Sequence, residues 1–291
     1  MAEVDHISLT ELRARDPEAV TRAAIERRRG PSPHEMDRLL LIAADHPARG
    51  ALRVGDRPMA MANRIDLLDR LLVALSRPGV HGVLGTPEIL EDLLLLGALD
   101  GKVVVGSMNR GGVPGAVFEM DDRFTACDAE SIAALGFSAG KMLLRIDPTD
   151  RSTVDTLESC ARAVSQLAAR RLVALVEPFW VRRDGGRPVN DLSPEAMTRA
   201  IAVAQGLGNR SAYTWLKVPV VPDMEQVMEA TTLPTLLLGG DPSVAPEETY
   251  ASWQKALRVP GVRGLVVGRA LLYPPDDDVA KAVDIAAGML G

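Results

Sequence analysis

A parallel α/β barrel of eight strands is the fold this sequence predicts, and three observations predict it. Short apolar runs recur eight times along the 291-residue chain. A stretch with helical spacing of its apolar residues follows most of them, the strand–helix alternation of a covered parallel sheet. No GxGxxG turn follows the first run, so the leading sign of an open doubly wound sheet, the competing architecture, is missing.

In order, the runs are 39–44 (LLLIAA), 80–84 (VHGVL), 102–106 (KVVVG), 141–146 (KMLLRI), 172–176 (LVALV), 214–218 (TWLKV), 235–238 (TLLL) and 264–267 (GLVV). Several are rich in β-branched residues and apolar on both faces, as strands buried from both sides must be. Between them, 64–75 places Ile65, Leu68, Leu71 and Leu72 on one helical face. The stretch 153–169 does the same with Val154, Leu157, Ala161, Val164 and Leu167. Ser193 is the expected N-cap of a helix over 194–205, with Pro194 at its first position. The segment 109–122 is glycine-bearing and poor in helix formers. It reads as a long loop after the third strand, placed to act as a lid.

Residues 1–35 fall outside the repeat. Ser8-Leu9-Thr10-Glu11 has the form of a capping box, and the stretch to Arg29 reads as helical. The expected organisation is a helical extension, 1–35, packed on a catalytic barrel, 36–291.

Composition narrows the partners. The net charge is −6 and the one basic run, Arg27-Arg28-Arg29, reads as a solvated helix end, which argues against nucleic acid. Apolar runs such as LLVALS and LLLLGAL are too short to span a membrane. The acidic start MAEVDHISL lacks the basic and apolar regions of a signal peptide. Two cysteines, Cys127 and Cys160, fit neither a disulfide framework nor a zinc pattern. A reducing cytoplasm is the expected location, and the apolar helix faces of a barrel suggest a homo-oligomer.

Chemistry in such a barrel gathers at the C-terminal ends of its strands. There the sequence places Asp45, Glu177, Lys217, Gly239-Gly240 and Arg269, with Lys141 early in the fourth strand and its stem reaching upward. Lys217 is the awkward residue, because an ammonium in an apolar strand is costly unless it is paired or sheds its proton. A lysine beside a second ammonium is driven toward the neutral amine, which attacks a ketone to give an imine. The imine then serves as an electron sink for carbon–carbon cleavage, with a carboxylate as proton shuttle. Glycine backbone and an arginine fork suit a phosphate. Trp215 alternates with Lys217 and should share its interior face, either walling the lysine from water or filling the barrel. Ser107, Asn109 and Arg110 follow the third strand, within reach of a substrate. Glu177 precedes Pro178 and is expected to end its strand. A surface ion pair to Arg182 or Arg183 is the competing role for it. His6, His34, His46 and His81 show no ligand spacing, so neither a metal nor another cofactor is expected.

These segments together resemble the class I Schiff-base aldolases of the fructose-bisphosphate and tagatose-bisphosphate group. LIAADHPARGALR resembles the first-strand segment with that group's active-site aspartate. AGKMLLRID resembles its fourth-strand lysine segment, LVALVEPFW its fifth-strand glutamate segment and WLKVPVV its Schiff-base strand. LLLGGDPS and VVGRALLYP are similar to its two phosphate turns. The resemblance spans about residues 38–273 and extends to actinobacterial proteins labelled deoxyribose-phosphate aldolase-like, although that enzyme's own lysine motif is absent.

The resemblance implies Lys217 as nucleophile, Glu177 as acid/base and Lys141 as the neighbouring charge. It implies Asp45 at a substrate hydroxyl, and Gly239, Gly240 and Arg269 at a phosphate. The implied reaction is reversible cleavage of a phosphorylated ketose or keto sugar acid to dihydroxyacetone phosphate and an aldehyde. Departures bear on the other end of the substrate. Leu238 stands where the fructose enzymes have a serine, and Asn109-Arg110 and Met142-Leu143 stand where they carry further basic residues. A monophosphate, or a differently charged tail met by Arg110, is expected instead of a bisphosphate. Two other functions stay open: a sugar-phosphate isomerase or epimerase using Glu177 and Asp45, and a non-catalytic sugar-phosphate-binding barrel.

Overall fold

The computed structural model describes residues 6–109, 112–239 and 245–291. Its strands are β1 (Leu39–Ala43), β2 (Gly82–Gly85), β3 (Val103–Ser107), β4 (Ala139–Ile146), β5 (Val173–Asp184), β6 (Arg187–Asp191), β7 (Thr214–Val218), β8 (Thr235–Leu238) and β9 (Val262–Val267). All except β6 run parallel, in the ring order β4-β3-β2-β1-β9-β8-β7-β5, and β5 pairs back to β4. The protein is a closed (β/α)8 barrel, as the strand count predicts. The ninth strand comes from a hairpin: β5 continues past the barrel rim and folds back antiparallel as β6.

Around the barrel lie α1 (His6–Arg15), α2 (Ala19–Glu26), α3 (Arg64–Ser76), α4 (Pro87–Leu95), α5 (Ala129–Ala134), α6 (Ser152–Ala169), α7 (Pro194–Gln205), α8 (Met224–Met228), α9 (Pro246–Ala256), α10 (Arg269–Leu272) and α11 (Val279–Gly288). Ser193 caps α7 through Ala196 N, as its sequence predicts. Ser8 does not cap a helix: α1 already runs through it. The α6 face is rotated from the expected one, with Val154 66% exposed and Thr153, Thr156 and Cys160 inside. Thr153 and Thr156 tolerate burial because their hydroxyls donate to the Asp147 and Ser152 carbonyls. The segment before β1 is held on the barrel wall by Arg13, which bonds Asp92, Glu91 and the Glu88 carbonyl of α4. Arg27 is not the solvated helix end its run suggests. It lies half-buried over the Phe137 ring and donates to the Gly136 carbonyl.

Two apolar layers follow from the two-residue period of each strand. One face of the strands packs against the helices. The other fills the lumen with Leu39, Leu41, Val105, Ala139, Val173, Leu175, Trp215, Leu236 and Val266.

Closure of the ring depends on Gly264. It faces Leu39 across β1 and β9 at φ +134°, and a Cβ there would stand 1.9 Å from the Leu39 carbonyl oxygen. Gly264→Ala is therefore expected to destabilise the barrel by about 3 kcal/mol, combining backbone strain with overpacking. Urea unfolding measures it, and a loss below about 0.5 kcal/mol would show that this rung can shift.

Candidate active site

Four ionisable side chains meet inside the C-terminal mouth because strand register places them there. On β4, Ala139, Lys141, Leu143 and Arg145 alternate inward; on β5, Val173, Leu175, Glu177 and Phe179 do so. The rung Val176↔Leu216 sets Glu177 level with Lys217. The rung Leu143↔Glu177 puts Lys141 one inward position below, so its stem rises toward the carboxylate. Asp45 lies two residues beyond Ala43 and keeps the inward phase of β1.

Lys217 Nζ is 2.7 Å from Glu177 Oε1, and Lys141 Nζ is bonded to Glu177 Oε2. Lys141 also reaches Asp45 Oδ2 at 3.3 Å, and the Ser107 hydroxyl donates to that oxygen at 3.2 Å. Lys141 and Asp45 are each 1% exposed and Lys217 is 4% exposed. Two ammoniums and two carboxylates thus form a chain, Lys217–Glu177–Lys141–Asp45, with no net charge. Such pairing is what makes their burial tolerable. Burial pushes the Glu177 carboxyl up, but Lys141 and Lys217 outweigh it and hold the group well below the usual carboxylate range. Of the competing partners, Arg183 bonds Asp147 and Asp150, and Arg182 lies 3.8 Å from Asp184.

Above this chain opens a cavity of about 1010 Å3. Lys141, Glu177, Lys217, Asp45, Gly239, Gly268 and Arg269 line it. Gly268 is obligatory in this backbone, since a Cβ would stand 2.2 Å from the Ala43 carbonyl oxygen. It carries the chain into α10 so that Arg269 lies at the rim, where its Nη1 donates to the Arg53 carbonyl at 3.3 Å. Gly240 and Arg110 lie outside the described residues.

Residues 37–287 match the family model described as Cgl0159-like. The chain belongs to the Cgl0159-like family. A crystal structure of Cgl0159 from Corynebacterium glutamicum is 54% identical over 98% of this chain and 96% of that one, with a TM-score of 0.94. A Schiff-base-forming fructose-1,6-bisphosphate aldolase shares the fold at 21% identity, over 94% of this chain and 100% of its own, with a TM-score of 0.64. An archaeal fructose-1,6-bisphosphate aldolase, whose catalytic lysine is covalently bound to the substrate's carbinolamine intermediate, does so at 20% identity. That match covers 93% of this chain and 99% of the archaeal one, with a TM-score of 0.65. Among curated proteins there is no match.

Two residues that the sequence of this Cgl0159-like protein brings toward the site lie elsewhere. The Asn109 amide bonds the Leu143 carbonyl and N–H and the Asp122 carbonyl, tying the loop after β3 to β4. Trp215 does face the lumen, but below the ion chain, in a T-shaped pair with His34 whose ring centroids are 5.7 Å apart; it fills the barrel floor. Pro178 does not end its strand. It lies beyond the last rung shared with β7, at an edge where its missing N–H removes no ladder bond. The extension that follows supplies Phe179, Pro188, Val189, Asn190 and Leu192 to the cavity wall.

Two cavity residues, Arg145 and Arg49, escape a reading of strand ends, and a third, His46, is expected there only as a hydrogen-bonding neighbour of Asp45. Arg145 was marked by the period of two from Lys141. Arg49 sits in the short 3-10 turn Pro47–Arg49, with no period to mark it. His46 borders Asp45, and burial, Arg269 and Lys217 hold its imidazole well below its ordinary value, hence neutral at pH 7. Among the described residues no group of three or more His, Cys, Asp or Glu is placed to hold a metal. No helix among them is long and apolar enough to cross a membrane.

Proposed function

We propose that this protein is a Schiff-base aldolase acting on a phosphorylated ketose or keto sugar acid, with Lys217 as nucleophile. The observation that carries the reading is the Glu177 carboxylate held between two buried ammoniums, Lys217 and Lys141.

The resting Glu177 is ionised and hydrogen-bonded to the Lys217 ammonium, so the first step is proton transfer from Lys217 to Glu177. This releases the amine to attack the ketone carbon. The carbinolamine hydroxyl then takes the proton back from Glu177 and leaves as water, giving the protonated imine. Lys141 stays charged, favours the neutral amine at Lys217 and links Glu177 to Asp45. The Asp45 carboxylate accepts the proton of the hydroxyl on the carbon being cleaved, as that carbon becomes an aldehyde and the bonding pair flows into the imine. Protonation of the resulting enamine and hydrolysis regenerate Lys217. Arg269, with the backbone around Gly239, holds the phosphate, its guanidinium giving a charge-assisted fork.

The test is to incubate the protein with dihydroxyacetone phosphate, add borohydride, and read intact and peptide masses. A reduced adduct on the peptide carrying Lys217 is expected. Binding of the ligand without any adduct would overturn the reading and favour proton transfer between Glu177 and Asp45 alone.

A further inference from the structure

We propose that Arg49 and Arg145 form a second recognition pole that takes a singly charged carboxylate at the end of the substrate remote from its phosphate. The proposal rests on the reading of this cavity as a sugar-phosphate site. In the barrel ring β4 lies directly across from β9, four strands away in either direction. Arg145 projects inward from β4, and Arg269 follows β9, so the two cations stand on opposite walls of one cavity. Glu177 and Lys217 lie on the strands between them, and a ligand that reaches both walls passes the lysine.

The two arginines are not equivalent. Arg145 chelates Asp122, Nε to Oδ2 at 2.7 Å and Nη2 to Oδ1 at 2.9 Å, and bonds the Glu119 carbonyl. Arg49 donates Nε to the Gly112 carbonyl at 2.9 Å, while its Nη2 is 3.7 Å from the same Asp122, beyond hydrogen-bond reach. Among the described residues nothing accepts from Arg49 Nη1. Burial and the neighbouring Arg145 hold the Arg49 guanidinium below its ordinary value, outweighing Asp122, Glu177 and Glu119. The loop backbone closes on the pair. A Cβ on Gly112 would stand 2.4 Å from Arg145 Nη2 and 2.6 Å from Asp122 Oδ1. In so dry a place a charge-assisted hydrogen bond is strengthened.

Charge selects the ligand class. Asp122 and Glu119 balance the two guanidiniums in number, but both serve Arg145, Asp122 by chelation and Glu119 with Oε1 3.8 Å from its Nη1. A phosphate dianion would leave a strongly negative pocket, and a hydroxyl would give Arg49 no charge-assisted bond. A carboxylate brings one charge and fits one fork.

The experiment is calorimetric titration with ω-phosphonoalkanoates of increasing chain length, against alkylphosphonates and α,ω-bisphosphonates of matched length. At one length the carboxylate is expected to tighten binding about ten- to a hundredfold over the alkylphosphonate. Arg49→Gln should lose that gain while still binding the alkylphosphonate, which shows the variant is folded. No gain at any length, a bisphosphonate that binds tighter than the phosphonoalkanoate, or a gain that survives in Arg49→Gln would each overturn the proposal. Binding needs no imine. A carboxylate gain in a protein that yields no borohydride adduct therefore supports this pole while refuting the lysine chemistry, and an adduct without the gain does the reverse.

Discussion

Lys217→Met is expected to lower turnover by about 10^4-fold or more and to abolish the borohydride adduct, with the barrel intact. Methionine keeps the length and apolar packing of the lysine stem, and Glu177 retains Lys141 as a partner, although Lys141 then serves two carboxylates and some stability is lost with the activity. Lys217→Arg separates the two roles a cation can have here. Arginine keeps the positive charge beside Glu177 but does not give up its proton, so it forms no imine. If Lys217 is the nucleophile, the arginine variant is as inactive as the methionine variant. If the lysine only supplies charge, as an isomerase using Glu177 and Asp45 would require, the arginine variant keeps activity within about tenfold of the native enzyme. Rate assays on both variants, with melting curves to confirm folding, decide between them.

The outcome matters because the case for Lys217 began as an anomaly of polarity. WLKV is apolar except at one position, and the same is true of LVALVE and AGKMLL. A charged residue at an inward phase of a buried strand has to meet another charged residue, since nothing else in that layer can satisfy it. Sequence therefore points to Lys217, Glu177, Lys141 and Asp45 as one group, and the strand register joins them. The barrel was readable for a similar reason: strands covered on both faces leave continuous apolar runs that survive any helix placement.

What sequence hid was decided by geometry that has no period. Pro178 looks like a terminator, yet a proline at an unpaired edge permits the strand to run on, so the hairpin β5–β6 was not foreseen. Arg49 lies in a turn where no alternation marks its direction. Trp215 has the same phase as Lys217 but a different height, and phase alone cannot tell the floor of a barrel from its mouth. On α6 the inward face carries Thr153, Thr156 and Cys160 in place of larger apolar residues, because local hydrogen bonds satisfy the threonines. Sequence polarity there reports composition, while burial follows satisfied bonds.

Glu177→Gln should produce the second large effect, and it separates the carboxylate's role from that of the lysine. The amide cannot accept the Lys217 proton and return it, so turnover is expected to fall about 10^2- to 10^4-fold. The adduct should still form on the Lys217 peptide, more slowly, because the nucleophile remains. Stability changes as well. Lys141 and Lys217 are left with Asp45 as the remaining carboxylate of the chain, and breaking a buried ionic group in this way costs about 3–5 kcal/mol near pH 7. The pH dependence has a definite sign. In the native protein the depressed Glu177 carboxyl contributes stability that is fully present above the ordinary carboxylate range and is lost as pH falls below it. In the variant one lysine is forced toward its neutral form, so its folded-state pKa drops below that of the unfolded chain. Between those two values the unfolded state binds more protons, and stability rises with pH up to about 10.4, the unfolded lysine value. Urea unfolding from neutral to alkaline pH should therefore show the gap between variant and native protein narrowing as pH increases. A gap that stays constant would mean that both lysines remain charged without Glu177, and that burial beside Lys141 does not by itself drive Lys217 toward the neutral amine.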